Sequence, residues 1–200
     1  MDPVRFIGNY SSGKMGYALA GELAARGARV TLVSGPVSLE IRNPRVELIP
    51  VTSAEEMDRE CRRIFPETNG AVLCAAVADY TPVEKSSEKR KRGEENLVLT
   101  LKPNPDIAAG LGQMKKPGQI LVGFALETGN EYENAYRKLI RKNLDLIVLN
   151  SLNDEGAGFQ TDTNKITIID RQNNFLHFEL KSKTEVASDI VDRMMNEMML

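Results

Sequence analysis

The sequence predicts an α/β fold: a doubly wound, Rossmann-like, mostly parallel sheet in three layers, with a C-terminal antiparallel hairpin. Three observations carry this. Apolar strand-like runs alternate with helical stretches along most of the chain, the pattern of strand–helix–strand units with helices on both faces of a sheet. Runs such as GAVLCAAVAD are apolar throughout rather than alternating, as strands covered on both faces are. Near the end, KITIID and FLHFEL are separated by RQNN, a hairpin signal.

Each element has a local reason. Lys14 to Arg26 is rich in Ala and Leu, and Gly27 stands where a helix-ending glycine belongs. ARVTLVSG and VELIPVT read as strands. Ser53 lies three residues before Glu56, the spacing of a capping box, so a helix is expected over SAEEMDRECRRIF. The strand GAVLCAAVAD leads into residues 81–96, which are polar, charged and aperiodic: a long exposed loop. LVLTLKP is a strand by its leucine and β-branched content. A short helix from about Asp106, the strand QILVGFALE, a helix over Tyr132–Lys142 and the strand LDLIVLN follow. The loop SLNDEGAGFQTDTN precedes the hairpin, and a helix from Thr184 to Met198 has its Met, Ile and Val at core spacing. Residues 1–200 are expected to form one domain.

Composition narrows the chemistry. A chain of this size buries roughly two-thirds to three-quarters of its unfolded surface, so a core is available. The 26 basic and 28 acidic side chains leave a formal net charge of −2, without the basic surplus of a nucleic-acid binder. No stretch approaches the ~20 apolar residues of a membrane helix, and a cytoplasmic location is expected. Two cysteines, Cys61 and Cys74, are too few for a disulfide framework, and Cys74 reads as a small buried hydrophobe. One histidine, His177, offers neither a metal cluster nor a Ser-His-Asp triad.

In an open parallel sheet, ligands bind beyond the carboxyl ends of the strands. The loops to inspect are therefore 34–38, 76–80 with the basic run behind it, 125–130 and 150–156. Gly8 to Met15 nearly spells a phosphate-binding P-loop, but Met15 stands where the Mg²⁺-holding Ser/Thr belongs. Ser11–Gly16 is better read as a turn offering N–H groups at a helix start, with Ser11 or Ser12 as a plain N-cap the simpler alternative. The dinucleotide fingerprint G-x-G-x-x-G is absent. The run from Lys85 to Arg92 follows a strand end at Asp79-Tyr80, where its cations could fold over a triphosphate. Lys138 and Lys142 share one helix face. For both features, ordinary solvated charge is the plain alternative.

Seven segments together resemble one family, phosphopantothenoylcysteine synthetase. They are Asp2–Phe6, Asn9–Gly16, Val33–Val37, Ala75–Tyr80, Asn104–Ile107, Gly123–Ala125 and Arg141–Asp145, in the family's order. The resemblance implies joining of 4′-phosphopantothenate to cysteine, through an acyl-cytidylate made from CTP with release of pyrophosphate. Relatives in eukaryotes can use ATP. By matching position, Asn9 would hold the activated intermediate for amine attack, and Arg5 would serve that second step. Lys89 would serve acyl-cytidylate formation, as the first Lys of a Lys-x-Lys-Lys pattern whose last place is Arg92 here. Asp79, the turn Pro105, Asp106, Ile107 and Ala108, and Phe124, Lys138 and Lys142 would contact the nucleotide. Ser11, Ser12, Gly13 and Ala76 would meet the acyl substrate.

The resemblance further implies Mg²⁺ on the triphosphate, a homodimer in which residues 158–164 and the following strands could take part, and fusion or adjacency to a flavin-dependent decarboxylase domain. Family members carry an apolar strand and a Gly/Thr turn just ahead of the Asp-Pro-Val-Arg segment, which this sequence lacks. A gap in sheet pairing is therefore expected, unless a neighbouring segment fills it. Two further readings are a nucleotide-binding fragment without turnover and a short-chain NAD(P)-dependent oxidoreductase.

Overall fold

The computed structural model describes residues 1–92, 96–127, 129–151 and 161–198. Its elements in chain order are α1 (Lys14–Ala25), β1 (Val30–Ser34), β2 (Val46–Pro50), α2 (Ala54–Ile64), β3 (Gly70–Leu73), β4 (Tyr80–Pro82) and β5 (Leu101–Pro103). Then come α3 (Ile107–Met114), β6 (Ile120–Glu127), α4 (Glu131–Arg141), β7 (Leu146–Ser151), β8 (Thr163–Asp170), β9 (Phe175–Ser182) and α5 (Lys183–Met198).

The main sheet has the order β3-β6-β7-β8-β9. β3, β6 and β7 pair in parallel, and the β8–β9 hairpin extends the β7 edge in the antiparallel sense. Two apolar layers cover its faces. Met57 of α2, Leu111 of α3 and Leu139 of α4 pack on Leu121, Ala125 and Ile147. Leu19 of α1 and Val186, Ile190 and Val191 of α5 pack on Val122, Val148 and Ile168. This is the expected three-layer arrangement. In the last helix Met194 is buried, whereas Met195 and Met198 are exposed, so its methionines are only partly core.

The sheet is interrupted where a gap was expected. β1 and β2 form a separate parallel pair, and β1 and β3 are not hydrogen-bonded neighbours. Val33 of β1 and Leu73 of β3 nevertheless pack against one core cluster. The interruption marks burial too: β3 is only half-buried, while its partner residues on β6 are buried. It also shortens the strand expected over GAVLCAAVAD, which ends at Leu73. The exposed loop is likewise different in kind. β4 pairs antiparallel with β5, Val83 N donates to Thr100 O at 2.9 Å just beyond the pair, and LVLTLKP is strand only over 101–103.

The helix ends show local chemistry at work. Gly27 has φ 95°, and Ala28 N donates to Leu23 O at 3.0 Å, closing α1 as a left-handed glycine does. At its other end Gly13, at φ 75°, is the N-cap, and Ser11 Oγ accepts from its N at 3.4 Å. The capping box of α2 is displaced by one residue. Ser53 Oγ accepts from Glu56 N as expected, but the Glu56 carboxylate returns to Thr52 N and Oγ at 2.7 and 2.8 Å.

Candidate active site at the strand ends

The candidate residues lie along a rim tied together by hydrogen bonds. Asn9 Nδ2 donates to the carbonyls of Ala76 and Val77 at 3.1 and 3.3 Å, fixing the N-terminal segment on the turn after β3. Both amide hydrogens are thereby used, and Asn9 Oδ1 is left as an acceptor. Asn104 continues the chain: its Nδ2 donates to Ala78 O at 2.7 Å, and its N to Asp79 O at 2.8 Å. Two residues on, Asp106 caps α3, accepting from Ala109 N at 3.0 Å and from Lys142 Nζ at 2.8 Å. Burial pushes the Asp106 carboxyl up, but Lys142 and the Ala109 N–H outweigh it and hold the group below the usual carboxylate range. Ile107 turns into the core, so its side chain anchors the turn, while Pro105 and Asp106 are exposed.

The helix-start turn lies beside this rim. A Cβ on Gly13 would sit 2.9 Å from Val37, and one on Gly16 would sit 3.2 Å from Cys74 Sγ, so α1 approaches the 34–38 loop and the end of β3 closely. Lys14 Nζ donates to Asp162 at 2.5 Å. Near it, Lys183 is buried; desolvation first, and Lys14 second, push its ammonium below its ordinary value.

The basic run is exposed at Lys89 and is held from behind. Asp2 takes both side-chain Nε and Nη2 of Arg5, at 2.9 and 2.6 Å, and Arg5 Nη2 also donates to Arg90 O at 2.6 Å. The Arg5 guanidinium holds the Asp2 carboxyl far below the usual range. Sequence reasoning passed over Asp2 and Asn104 as individual actors; each shows its value only through contacts far along the chain.

Two other candidates stand apart from this network. Phe124 packs with the α1–α5 layer, and Lys138 Nζ lies 3.9 Å from Glu127. Asn9 and the Asp79 carbonyl belong to the hydrogen-bonded run, and Phe124 and Lys138 do not. A cavity of about 670 Å³ lies between the start of α4 and the β8–β9 hairpin, lined by Tyr132 and His177 among others. A smaller one of about 220 Å³ lies beside Arg90 and residues 98–100. The loop residues 152–160 and Thr128, parts of two strand-end loops considered above, lie outside the described residues, as do residues 158–160 of the segment considered for a dimer interface.

Among the described residues no three His, Cys, Asp or Glu side chains gather as a metal site, and no helix is long and apolar enough to cross a membrane. A protein-built Mg²⁺ cage therefore does not fit the described residues. Burial pushes both thiols up to about 11, with Asp58 and Glu60 adding to the effect at Cys61. Neither is a ready nucleophile. In the folded chain at pH 8, both are expected to resist iodoacetamide over a time that fully alkylates the urea-unfolded chain; mass spectrometry reads the difference.

Fold and rim thus define a three-layer α/β protein with polar loops gathered at the carboxyl ends of parallel strands. Residues 1–198 match the model of the DNA/pantothenate metabolism flavoprotein C-terminal domain, and the chain belongs to that family. It is 44% identical over 191 residues to the coenzyme A biosynthesis bifunctional protein CoaBC of Bacillus subtilis (strain 168), covering 96% of this chain and 47% of that one. A relative from an unknown prokaryotic organism, named cysteine/cysteine sulfinic acid decarboxylase, is 57% identical over 195 residues, covering 98% of this chain and 54% of that one. The chain spans about half the length of these curated relatives. Among solved structures, the C-terminal domain of CoaBC superposes with a TM-score of 0.79 at 38% identity, covering 96% of this chain and 88% of that one.

Proposed function

We propose that this domain is a ligase that joins 4′-phosphopantothenate to L-cysteine, with CTP as the activating nucleotide. A carboxylate oxygen of phosphopantothenate attacks the α-phosphorus of CTP and pyrophosphate leaves, giving an acyl-cytidylate. The cysteine amine then attacks the acyl carbon, CMP leaves, and the amine gives up its proton. Neither step needs a protein nucleophile; positioning and charge stabilisation suffice. That suits a chain with one histidine and two inert thiols.

The observation that carries the reading is the run of hydrogen bonds from Asn9 through residues 76–79 and Asn104 to Asp106 and Lys142. It links the residues proposed for the acyl group to those proposed for the nucleotide. Asn9 Oδ1 is an acceptor for an N–H of the incoming amine, and the cations of residues 89–92 meet the triphosphate. Mg²⁺ is proposed to arrive on that triphosphate. A homodimer belongs to the same proposal: β9 is a sheet edge and exposes Phe175, Leu176 and Leu180.

The test is pyrophosphate release that requires both CTP and phosphopantothenate, followed by cysteine-dependent release of CMP. Asn9→Asp is expected to slow the second step by roughly 10²-fold while acyl-cytidylate accumulates. An aspartate at position 9 sets oxygen against the carbonyls of Ala76 and Val77, where the amide now donates. Normal turnover by that variant removes Asn9 from the mechanism. Binding of CTP without pyrophosphate release marks a nucleotide-binding fragment, and reduction of a carbonyl with NAD(P)H marks an oxidoreductase. The name of the 57% identical relative favours one more reading, cysteine decarboxylation, which carbon dioxide release from cysteine without CTP would reveal.

A further inference from the structure

The mechanism proposed above uses Asn9 and the cations of residues 89–92 but leaves Asp2 unexplained. Its carboxylate gathers five donors. Oδ1 accepts from Val4 N and Arg5 N, both at 2.9 Å, closing a tight turn. Oδ2 accepts from Arg5 Nε and Nη2 and from Arg90 N at 3.3 Å. The last of these crosses 88 positions of sequence. With Arg5 Nη2 on Arg90 O at 2.6 Å, both backbone groups of Arg90 are held by the Asp2–Arg5 pair. Met1 O adds a third tie, accepting from Ser86 N at 3.0 Å. The side chain of Asp2 has no exposed surface, although it belongs to an exposed segment.

We infer that Asp2 is a positioning residue: together with Arg5 it clamps the backbone of Arg90 and so holds Lys89 and the neighbouring cations over the rim. The chemistry of the contact requires a carboxylate. Oδ1 accepts from two backbone N–H groups, and Oδ2 from the guanidinium and Arg90 N. An amide, with one oxygen and one donor, must set its NH₂ against donors on one side. Arg5 spends Nε and Nη2 on this clamp, so in this arrangement it acts through the basic loop. The same segment runs on to Asn9, which is pinned to Ala76 and Val77. One short stretch thereby sets the relative placement of the two proposed catalytic groups, Asn9 and Lys89. The role in catalysis rests on the ligase reading; the clamp itself does not.

Trypsin tests the clamp without any turnover, because Lys85, Lys89, Arg90, Lys91 and Arg92 are all cleavage sites within the held loop. In the 200-residue chain, Asp2→Asn is expected to speed cleavage at these sites roughly tenfold, as charge-assisted bonds that favour the closed loop are lost. Cleavage elsewhere and the thermal midpoint should stay within error of the parent. Arg5→Lys keeps the charge but gives up the fork, and should move cleavage in the same direction by less. In the pyrophosphate assay, Asp2→Asn is expected to lower kcat of the first step with KM for phosphopantothenate within twofold. Unchanged loop cleavage in both variants overturns the clamp. Faster cleavage with an unaltered first-step kcat overturns the positioning role. If the parent chain releases no pyrophosphate, the ligase reading falls, and the cleavage result alone decides for or against the clamp.

Discussion

Lys89→Gln is expected to cut CTP-dependent pyrophosphate release by roughly 10²–10³-fold, the loss seen when one preorganised charge-stabilising group is removed. The reasoning is electrostatic. Attack at the α-phosphorus brings an anionic carboxylate to a polyanion, and the leaving pyrophosphate gains charge as its bond breaks. A cation held against those oxygens lowers this barrier; glutamine keeps the length and hydrogen bonding but removes the charge. Arg90, Lys91 and Arg92 remain, and the Asp2–Arg5 clamp on Arg90 is untouched, so the variant should still bind CTP. The expected signature is thus a fall in kcat for the first step with a small change in CTP affinity. Preformed acyl-cytidylate, supplied with cysteine, should be converted at close to the parent rate. Undiminished pyrophosphate release removes Lys89 from the first step, and slow conversion of the preformed intermediate moves it to the second.

The parts of the fold that were legible in sequence are those set by neighbours a few residues apart. Gly27 ends α1 because a left-handed residue is needed there, and the Ser53–Glu56 spacing starts α2. The β8–β9 hairpin follows from its own turn, where Asn173 takes φ 63° and Asp170 Oδ1 accepts from Gln172 N and Asn174 N. What failed was decided by partners. GAVLCAAVAD has the composition of a long buried strand, yet only Gly70–Leu73 pair, and among the described residues they pair with β6 alone, with no strand hydrogen-bonded on the β1 side. LVLTLKP forms strand only where β4 reaches it. At the N-terminus of α1 the glycine turn preferred over a plain serine cap is the one found, with Gly13 as the left-handed N-cap close to Val37.

The site shows the same division. Asn9, the Asp106 turn and the basic run stand out by motif and charge, and their motifs carried the family resemblance. Their linkage did not. Lys142 reaches Asp106 across 36 positions and Asp2 reaches Arg90 across 88, separations at which sequence spacing carries no distance information. At Lys142 the structure shows neither plain solvated charge nor a free cation: its Nζ is already engaged by the α3 cap, Asp106. A nucleotide phosphate would have to share or displace Asp106, and that exchange ties affinity to the packing of α3 against α4.

That packing gives the largest expected stability change, and it is a change of one methyl group. A Cβ on Gly112 of α3 would lie 1.9 Å from the carbonyl oxygen of Lys142 and 2.9 Å from its carbon. Both are backbone atoms at the end of α4, so no side chain can turn aside. Asn143 Nδ2 meanwhile donates to Gly112 O at 2.8 Å and holds the two segments together. Gly112→Ala must therefore push α3 and α4 apart, breaking that bond and stretching the Asp106–Lys142 pair. Against it stands only the gain of about 1 kcal/mol that alanine offers over glycine in a helix. A net loss of about 2–3 kcal/mol is expected from overpacking, which for a domain of this length lowers the midpoint by about 4–12 °C. CTP binding should weaken with it, because the turn 105–108 rides on α3. Gly21 provides the matched control: it lies inside α1, and nothing stands within 4 Å of its Cβ position. There the same substitution is expected to stabilise by about 0.5–1 kcal/mol. Opposite signs at the two sites, read by calorimetry, identify contact with the end of α4 as the cause. If Gly112→Ala melts at or above the parent, α3 does not meet the end of α4 in close contact, and the coupling of Asp106 to Lys142 loses its structural basis.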